Sequence, residues 1–215
     1  MKRIQGVVFD LDGTLAETHP MAVAHIGEAI VRHGGPELTP EAVMGLFGPN
    51  EKGIFRSVLG ARWEEAWEWY WDSYVEKHTV CPAPFDGISS LLESLDAAGC
   101  RLAVITGKTE QSGSKSLEII GLDSFFPAVF GGSIDGVVKS VQLSDLLRTW
   151  ALSPEEVVYV GDSVADVEEA RAAGVRPVSA AWSAYSDPTA QLAVAPEAQF
   201  SDVGSFAIWL NQNMS

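Results

Sequence analysis

Cysteine is scarce: Cys81 and Cys100 are the only two in 215 residues, and they fit no Cys-x-x-Cys or Cys/His metal spacing. That excludes a disulfide-stapled miniature fold. A cross-link between the two stays open on sequence alone, with two buried thiols in a reducing compartment the preferred reading. Positive charge is also short, with 14 Lys and Arg against 29 Asp and Glu and a net charge of −15. A nucleic-acid binder needs cationic surface to replace phosphate counterions, so that class is disfavoured. A small anionic substrate is not, because a local cluster of cations can override the global field. Long apolar runs are missing too. No stretch approaches the roughly 20 residues that span a bilayer. The basic start Met1-Lys2-Arg3-Ile4 meets Asp10 before a signal-peptide core could form. A cytoplasmic protein with neither membrane nor nucleic-acid partner is expected, as a monomer or homodimer.

What is present is the composition of a globular domain, 47% hydrophobic and 20% charged. At roughly 150 residues per domain, the length suits one domain, or one with an insertion. Short apolar runs of strand length recur at 4–9, 101–105, 128–130, 157–160 and 175–178. Near-continuous runs of this kind suit a parallel sheet covered on both faces. Between them lie helical patterns at 88–98, 114–120, 140–151 and 164–173, three of which stop at a glycine (Gly99, Gly121, Gly174). Ser153-Pro154-Glu155-Glu156 spells a capping box ahead of the fourth run. The alternation predicts an α/β fold with a doubly wound parallel sheet.

Residues 16–81 break that rhythm with helix after helix, until Pro82 and Pro84 mark a return to the sheet. The segment reads as an all-helical cap inserted into a core of residues 1–15 and 82–215. In its last helix Trp63, Trp67, Tyr70, Trp71 and Tyr74 share one face at spacings of three and four, which favours packing over a ligand box. Its histidines His19, His25, His33 and His78 form no metal spacing and read as incidental.

The chemistry gathers at strand ends, where open α/β sheets bind ligands. The first strand ends in Phe9-Asp10-Leu11-Asp12-Gly13-Thr14, two carboxylates that can converge on a cation once glycine turns the chain. The second ends in Thr106-Gly107-Lys108, a hydroxyl and N–H groups able to hold a phosphate. Lys139 follows the third, and Gly161-Asp162-Ser163 with Asp166 follows the fourth. Each has a plain alternative as a turn residue, a solvated charge or a helix-start acid. All four in this order are hard to explain that way.

In these four segments the sequence resembles the haloacid dehalogenase-like hydrolase superfamily, in its phosphatase branch, close to phosphoglycolate-phosphatase-like and β-phosphoglucomutase-like members. The resemblance covers essentially the whole chain, and the helical insertion matches the cap that family places after strand one. Two departures stand out: Glu17 where relatives usually carry Asp, and Lys139-Ser140 where Lys-Pro is common. The resemblance implies Asp10 as nucleophile forming an aspartyl-phosphate, and Asp12 as general acid, then base. It implies Mg²⁺ held by Asp10, the Asp12 carbonyl and Asp162 with support from Asp166, and Thr106, Gly107 and Lys139 as phosphate holders. Lys108 is a further candidate, set against a reading as a surface lysine.

A small phosphorylated metabolite, phosphoglycolate-like, is the expected substrate. The alternatives are a phosphomutase of the β-phosphoglucomutase type and, more remotely, a non-catalytic or receiver-like phosphoaspartate domain. On the cap, the turn Gly48-Pro49-Asn50 and the cations Lys52 and Arg56 after it are candidates to reach into the cleft, against a reading in which the cations only solvate their helix.

Overall fold

The computed structural model describes residues 2–214. In chain order, β1 (Gly6–Phe9) is followed by four helices, α1 (His19–Arg32), α2 (Pro40–Met44), α3 (Glu51–Leu59) and α4 (Trp63–Lys77). Helix and strand then alternate: α5 (Ile88–Ala97), β2 (Arg101–Ile105), α6 (Glu110–Ile119), β3 (Val129–Phe130), α7 (Lys139–Trp150) and β4 (Val157–Gly161). The chain closes with α8 (Val164–Ala172), β5 (Arg176–Ala180), α9 (Pro188–Ala193), β6 (Ala198–Phe200) and α10 (Val203–Met214).

The six strands form one wholly parallel sheet in the order β3-β2-β1-β4-β5-β6. Strand side chains alternate between two apolar layers, as a period of two requires. Val7, Phe9, Leu102, Val104, Val158 and Val160 join α5 and α10 on one face. Val8, Ala103, Ile105 and Tyr159 join α7 and α8 on the other. The fold is therefore the doubly wound α/β sheet that the sequence predicts. Strand order reverses beside β1, so the crevice at the carboxyl ends of β1 and β4 is where a ligand is expected.

Residues between β1 and α5 are helical apart from their connections, and they build an apolar cluster of their own from Ile26, Ile30, Ile54, Phe55, Tyr70 and Tyr74. The aromatic row of α4 packs as its spacing suggests. Tyr70 and Tyr74 are fully buried, and Trp67 stacks on Tyr70 and Trp71 with centroids 5.8 and 6.2 Å apart. The chain leaves the sheet after Leu15 and returns at Phe85, whose N–H donates to the Leu15 carbonyl at 2.9 Å.

Two features depart from expectation. Helix α6 starts at Glu110 rather than 114, because the Thr109 hydroxyl caps it by accepting from the Ser112 N–H at 3.1 Å. The sixth strand and the two helices around it, α9 and α10, were not predicted; β6 is three half-buried residues with Gln199 at its centre and carries little apolar signal. The capping box at Ser153 does form, around a single 3₁₀ turn at Pro154–Glu156. Both cysteines are buried free thiols. Among the described residues no helix is long and apolar enough to cross a membrane.

Candidate active site

Asp10 is the first residue beyond β1, and its N–H still donates to the Val160 carbonyl at 2.8 Å, so the sheet fixes its backbone. The chain then turns tightly, with Leu11 O accepting from the Leu15 N–H at 2.9 Å and Gly13 N–H donating to Ala16 O at 2.9 Å. Gly13 is required twice over. Its φ is +71°, and a Cβ there would sit 2.1 Å from an Asp162 carboxylate oxygen. The turn brings Asp10 and Asp12 to the rim that Thr106, Gly107, Lys108, Lys139, Asp162 and Asp166 also reach, and all eight line one cavity of about 290 Å³.

Lys139, the first residue of α7, lies 3.0 Å from Asp10 Oδ1 and 2.6 Å from Asp166 Oδ1. Asp166 is otherwise fully engaged. Tyr159 donates to its Oδ1 at 3.1 Å, and the Ser163 N–H and hydroxyl donate to its Oδ2 at 3.0 and 2.6 Å. It can fold back this way because position 161 is glycine; a Cβ there would lie 2.3 Å from the Asp166 carboxyl carbon. Lys108 Nζ lies 3.0 Å from Asp12 Oδ1, and the Thr18 hydroxyl donates to the same oxygen. Lys108 is 5% exposed, so it is no surface lysine.

These contacts separate the carboxylates electrostatically. Burial raises Asp10 to about 7; Lys139 pulls it down, and Asp166 and Asp12 push it up. Burial also raises Asp162 well above the usual carboxylate range, reinforced by the charges of Asp166 and Asp10. Burial would also raise Asp12, which is half-buried, yet Lys108, His19 and the Thr18 hydroxyl outweigh it and hold the group low. Asp166 is held low against burial by Lys139 and Ser163. Both lysines are raised well above their ordinary value, because their acid partners outweigh the cost of burial.

Asp10, Asp162 and Asp166 each present an oxygen within 4.8 Å of the others, and all three are buried. Asp162 has no lysine within ion-pair distance, so negative charge there is under-compensated. An all-oxygen pocket of this kind, short of positive charge, fits a hard divalent cation such as Mg²⁺. The Asp12 side chain lies outside that trio, turned to Lys108.

The cap candidates divide. Gly48 lines the cavity, whereas Asn50, Lys52 and Arg56 do not. Asn50 caps α3, accepting from Gly53 N–H at 3.1 Å and donating to Gly132 O at 2.7 Å. The Lys52 ammonium sits 4.7 Å from the centre of the Trp67 ring. Arg56 pairs with Asp135 at 2.6 Å in an exposed contact. Lys52 and Arg56 are one helical turn apart on the face opposite Ile54 and Phe55, so packing that pair inward turns both cations away.

Two residues passed over in the sequence belong here. His19 is not incidental: it lines the cavity with Nε2 3.9 Å from Asp162 Oδ2 and Nδ1 3.3 Å from Glu17. Glu17 itself accepts from Ser183 Oγ at 2.8 Å and Ala184 N–H at 3.1 Å, tying this corner to the loop after β5. Glu51, only 3% exposed, crosses from the insertion to α6, accepting from Thr109 N–H and Ser112 Oγ at 2.6 Å each. An acid on the same helical face as Ile54 and Phe55 was the available signal for it.

A family model for haloacid dehalogenase-like hydrolases matches residues 7–180. A phosphoglycolate phosphatase from Aquifex aeolicus is 29% identical over 180 residues, covering 82% of this chain and 84% of its own. The tyrosine-protein kinase PtkA of Mycobacterium tuberculosis is 34% identical over 181 residues, 83% of this chain, which spans only 62% of that relative's length. A solved structure from Haemophilus somnus, described as a predicted phosphoglycolate phosphatase, shares the fold with a TM-score of 0.77 at 24% identity over 99% of both chains. The family match runs from β1 to the end of β5 and so takes in every strand end that meets at the cavity; the chain belongs to the haloacid dehalogenase-like hydrolases.

Proposed function

We propose that the protein is a Mg²⁺-dependent phosphatase that hydrolyses a small phosphorylated metabolite, of about the size of phosphoglycolate, through an aspartyl-phosphate on Asp10. Residues 1–15 and 82–215 act as the catalytic core and residues 16–81 as its cap. The observation that carries this reading is the pair Asp10 and Asp12, two residues apart in one turn and facing different partners, Asp10 the buried carboxylate trio and Lys139, Asp12 the Lys108 ammonium. Burial raises Asp10 in the metal-free protein, and a bound cation would draw it down to the ionised form a nucleophile needs, while Asp12, outside the trio, is left to acid–base work.

Asp10, the Asp12 carbonyl and Asp162 would hold the metal, while Asp166, its oxygens already committed, orients Lys139. Bound Mg²⁺ would offset repulsion between the attacking carboxylate and a phosphate dianion. Asp10 attacks phosphorus, the bond to the leaving oxygen breaks, and Asp12 delivers a proton to that oxygen. Asp12 is ionised when paired with Lys108; an arriving phosphoryl dianion raises its affinity for the proton it must give. Water then attacks phosphorus, Asp12 takes its proton, and Asp10 is released as carboxylate. Thr106, Gly107 and Lys139 donate to the transferring oxygens, where charge builds in the transition state.

The test is phosphate release from phosphomonoesters with Mg²⁺, alongside intact-protein mass spectrometry after acid quench. Asp10→Asn should lose both turnover and adduct, whereas Asp12→Asn should still acquire a phosphoryl group slowly from an activated donor. An adduct that survives Asp10→Asn would overturn the assignment.

A further inference from the structure

The cavity has two ends of different character. At the core end are the carboxylates and the two lysines. The opposite wall is apolar, made by Ala22, Ile26, Phe47, Pro49, Ile54 and Val137. Apart from His19, held between Glu17 and Asp162, the ionisable group that residues 16–81 place on this cavity is Glu51, an acid. The cations nearest to it are already matched: Lys108 with Asp12, and Lys139 with Asp10 and Asp166.

The start of α3, which could offer N–H groups to an anion, is partly taken up as well. The Asn50 side chain accepts from Gly53 N–H, and the Asn50 N–H donates to Ser133 O at 2.8 Å. Glu51 adds a carboxylate in that same first turn.

From this arrangement we infer that the enzyme selects phosphomonoesters whose leaving alcohol is uncharged and carries apolar surface, and that Glu51 is a specificity-determining residue that turns away leaving groups bearing a carboxylate or second phosphate. The inference rests on the phosphatase reading above and narrows its substrate class. A leaving-group carboxylate would be buried against apolar side chains, without a cationic partner, and within the field of Glu51. Burying an unpaired charge in that way is strongly unfavourable. An alkyl group in the same place gains from leaving water.

Glu51 holds its position through Thr109 and Ser112, two groups on the core. The acid is thus fixed at the cavity wall by groups of the core.

The experiment compares kcat/KM for isobutyl phosphate and 2-phosphoglycolate with Mg²⁺. The two leaving groups are close in size and shape, and differ by the carboxylate. The wild-type enzyme should favour isobutyl phosphate by at least tenfold, although glycolate is the chemically better leaving group. Glu51→Gln should shrink that ratio at least threefold by improving phosphoglycolate, with isobutyl phosphate changed less. Equal or better turnover of phosphoglycolate by the wild type overturns the inference and leaves the phosphatase reading standing. A wild-type preference that Glu51→Gln leaves untouched, in a variant with an unaltered melting profile, removes Glu51 from the role. Phosphate release from neither ester, nor from an aryl phosphate, overturns the phosphatase reading itself, and the inference with it.

Discussion

Replacing Asp10 with asparagine should stabilise the metal-free protein while abolishing its turnover. Asp10 is 5% exposed. Burial, opposed by Lys139 and reinforced by Asp166 and Asp12, raises its carboxyl from 3.8 to about 7. A carboxyl group whose pKa is higher in the folded state binds more protons folded than unfolded. Its contribution to stability is therefore intact below pH ~4 and is lost as pH rises to about 7. The interval from 3.8 to about 7 corresponds to about 4 kcal/mol, at ~1.4 kcal/mol per pH unit. Relaxation and water entry around the ionised group reduce that to about 2 kcal/mol. Asparagine keeps the shape without the charge, and Lys139 keeps Asp166 as its partner. At pH 8 in chelator, Asp10→Asn should melt on the order of 4–8 °C above wild type, given ~2–4 °C per kcal/mol for a chain of this size. The gap should fall by more than half at pH 5. It should also narrow with excess Mg²⁺, which stabilises the form that binds it. Thermal melts of both proteins under these three conditions check the reasoning. An Asp10→Asn variant less stable than wild type at pH 8 without metal, or a gap indifferent to pH, would refute it.

Lys139→Met should lower kcat by orders of magnitude and destabilise the chelated protein by about 3–5 kcal/mol in urea titrations, because Asp10 and Asp166 lose their shared cation in a buried site. Ser116→Ala should cost about 1–3 kcal/mol in the same titrations, since Tyr74 Oη and His78 Nε2, 2.7 and 3.0 Å from its hydroxyl, are left buried without a partner. Arg56→Ala should leave kcat/KM for neutral and anionic esters within twofold of wild type and cost under about 1 kcal/mol, because its pair with Asp135 is exposed.

The sheet and the strand-end chemistry were readable because each rests on a local pattern. Val7-Val8-Phe9 is a buried strand by composition, and the acids and glycine directly after it fall on the ligand-binding edge of any such sheet. What stayed hidden depends on partners distant in sequence. Nothing near Glu51 marks Thr109 and Ser112 as its acceptors' donors, 58 and 61 residues on. His19 became meaningful only once Asp162 was placed beside it. The misplacement of Lys52 and Arg56 has a local cause: their charge was weighed without the phase of α3, whose inward face carries Glu51, Ile54 and Phe55. The C-terminal strand and helices were missed because Ala198-Gln199-Phe200 is too short and polar to stand out.

The single main-chain bond from Phe85 N–H to the Leu15 carbonyl has a consequence for how the chain could be rebuilt. It pins together the two points where the helical insertion begins and ends, so the sheet experiences everything between them as one loop with fixed ends. The entropy of closing a loop grows only logarithmically with its length, so a long excursion burdens the sheet little more than a short one. Insertions with adjoining ends behave as detachable modules. A chain in which a brief Gly-Ser turn joins Ala16 to Ala83 should retain the cooperative unfolding of the six-stranded sheet. A different helical module spliced at the same two points should keep Asp10, Thr106, Lys139 and Asp166 in place, and would have to replace the Thr18 hydroxyl and His19 that act on Asp12 and Asp162. In such chimaeras the sheet is the conserved chassis, and the excursion between Leu15 and Phe85 is the exchangeable part.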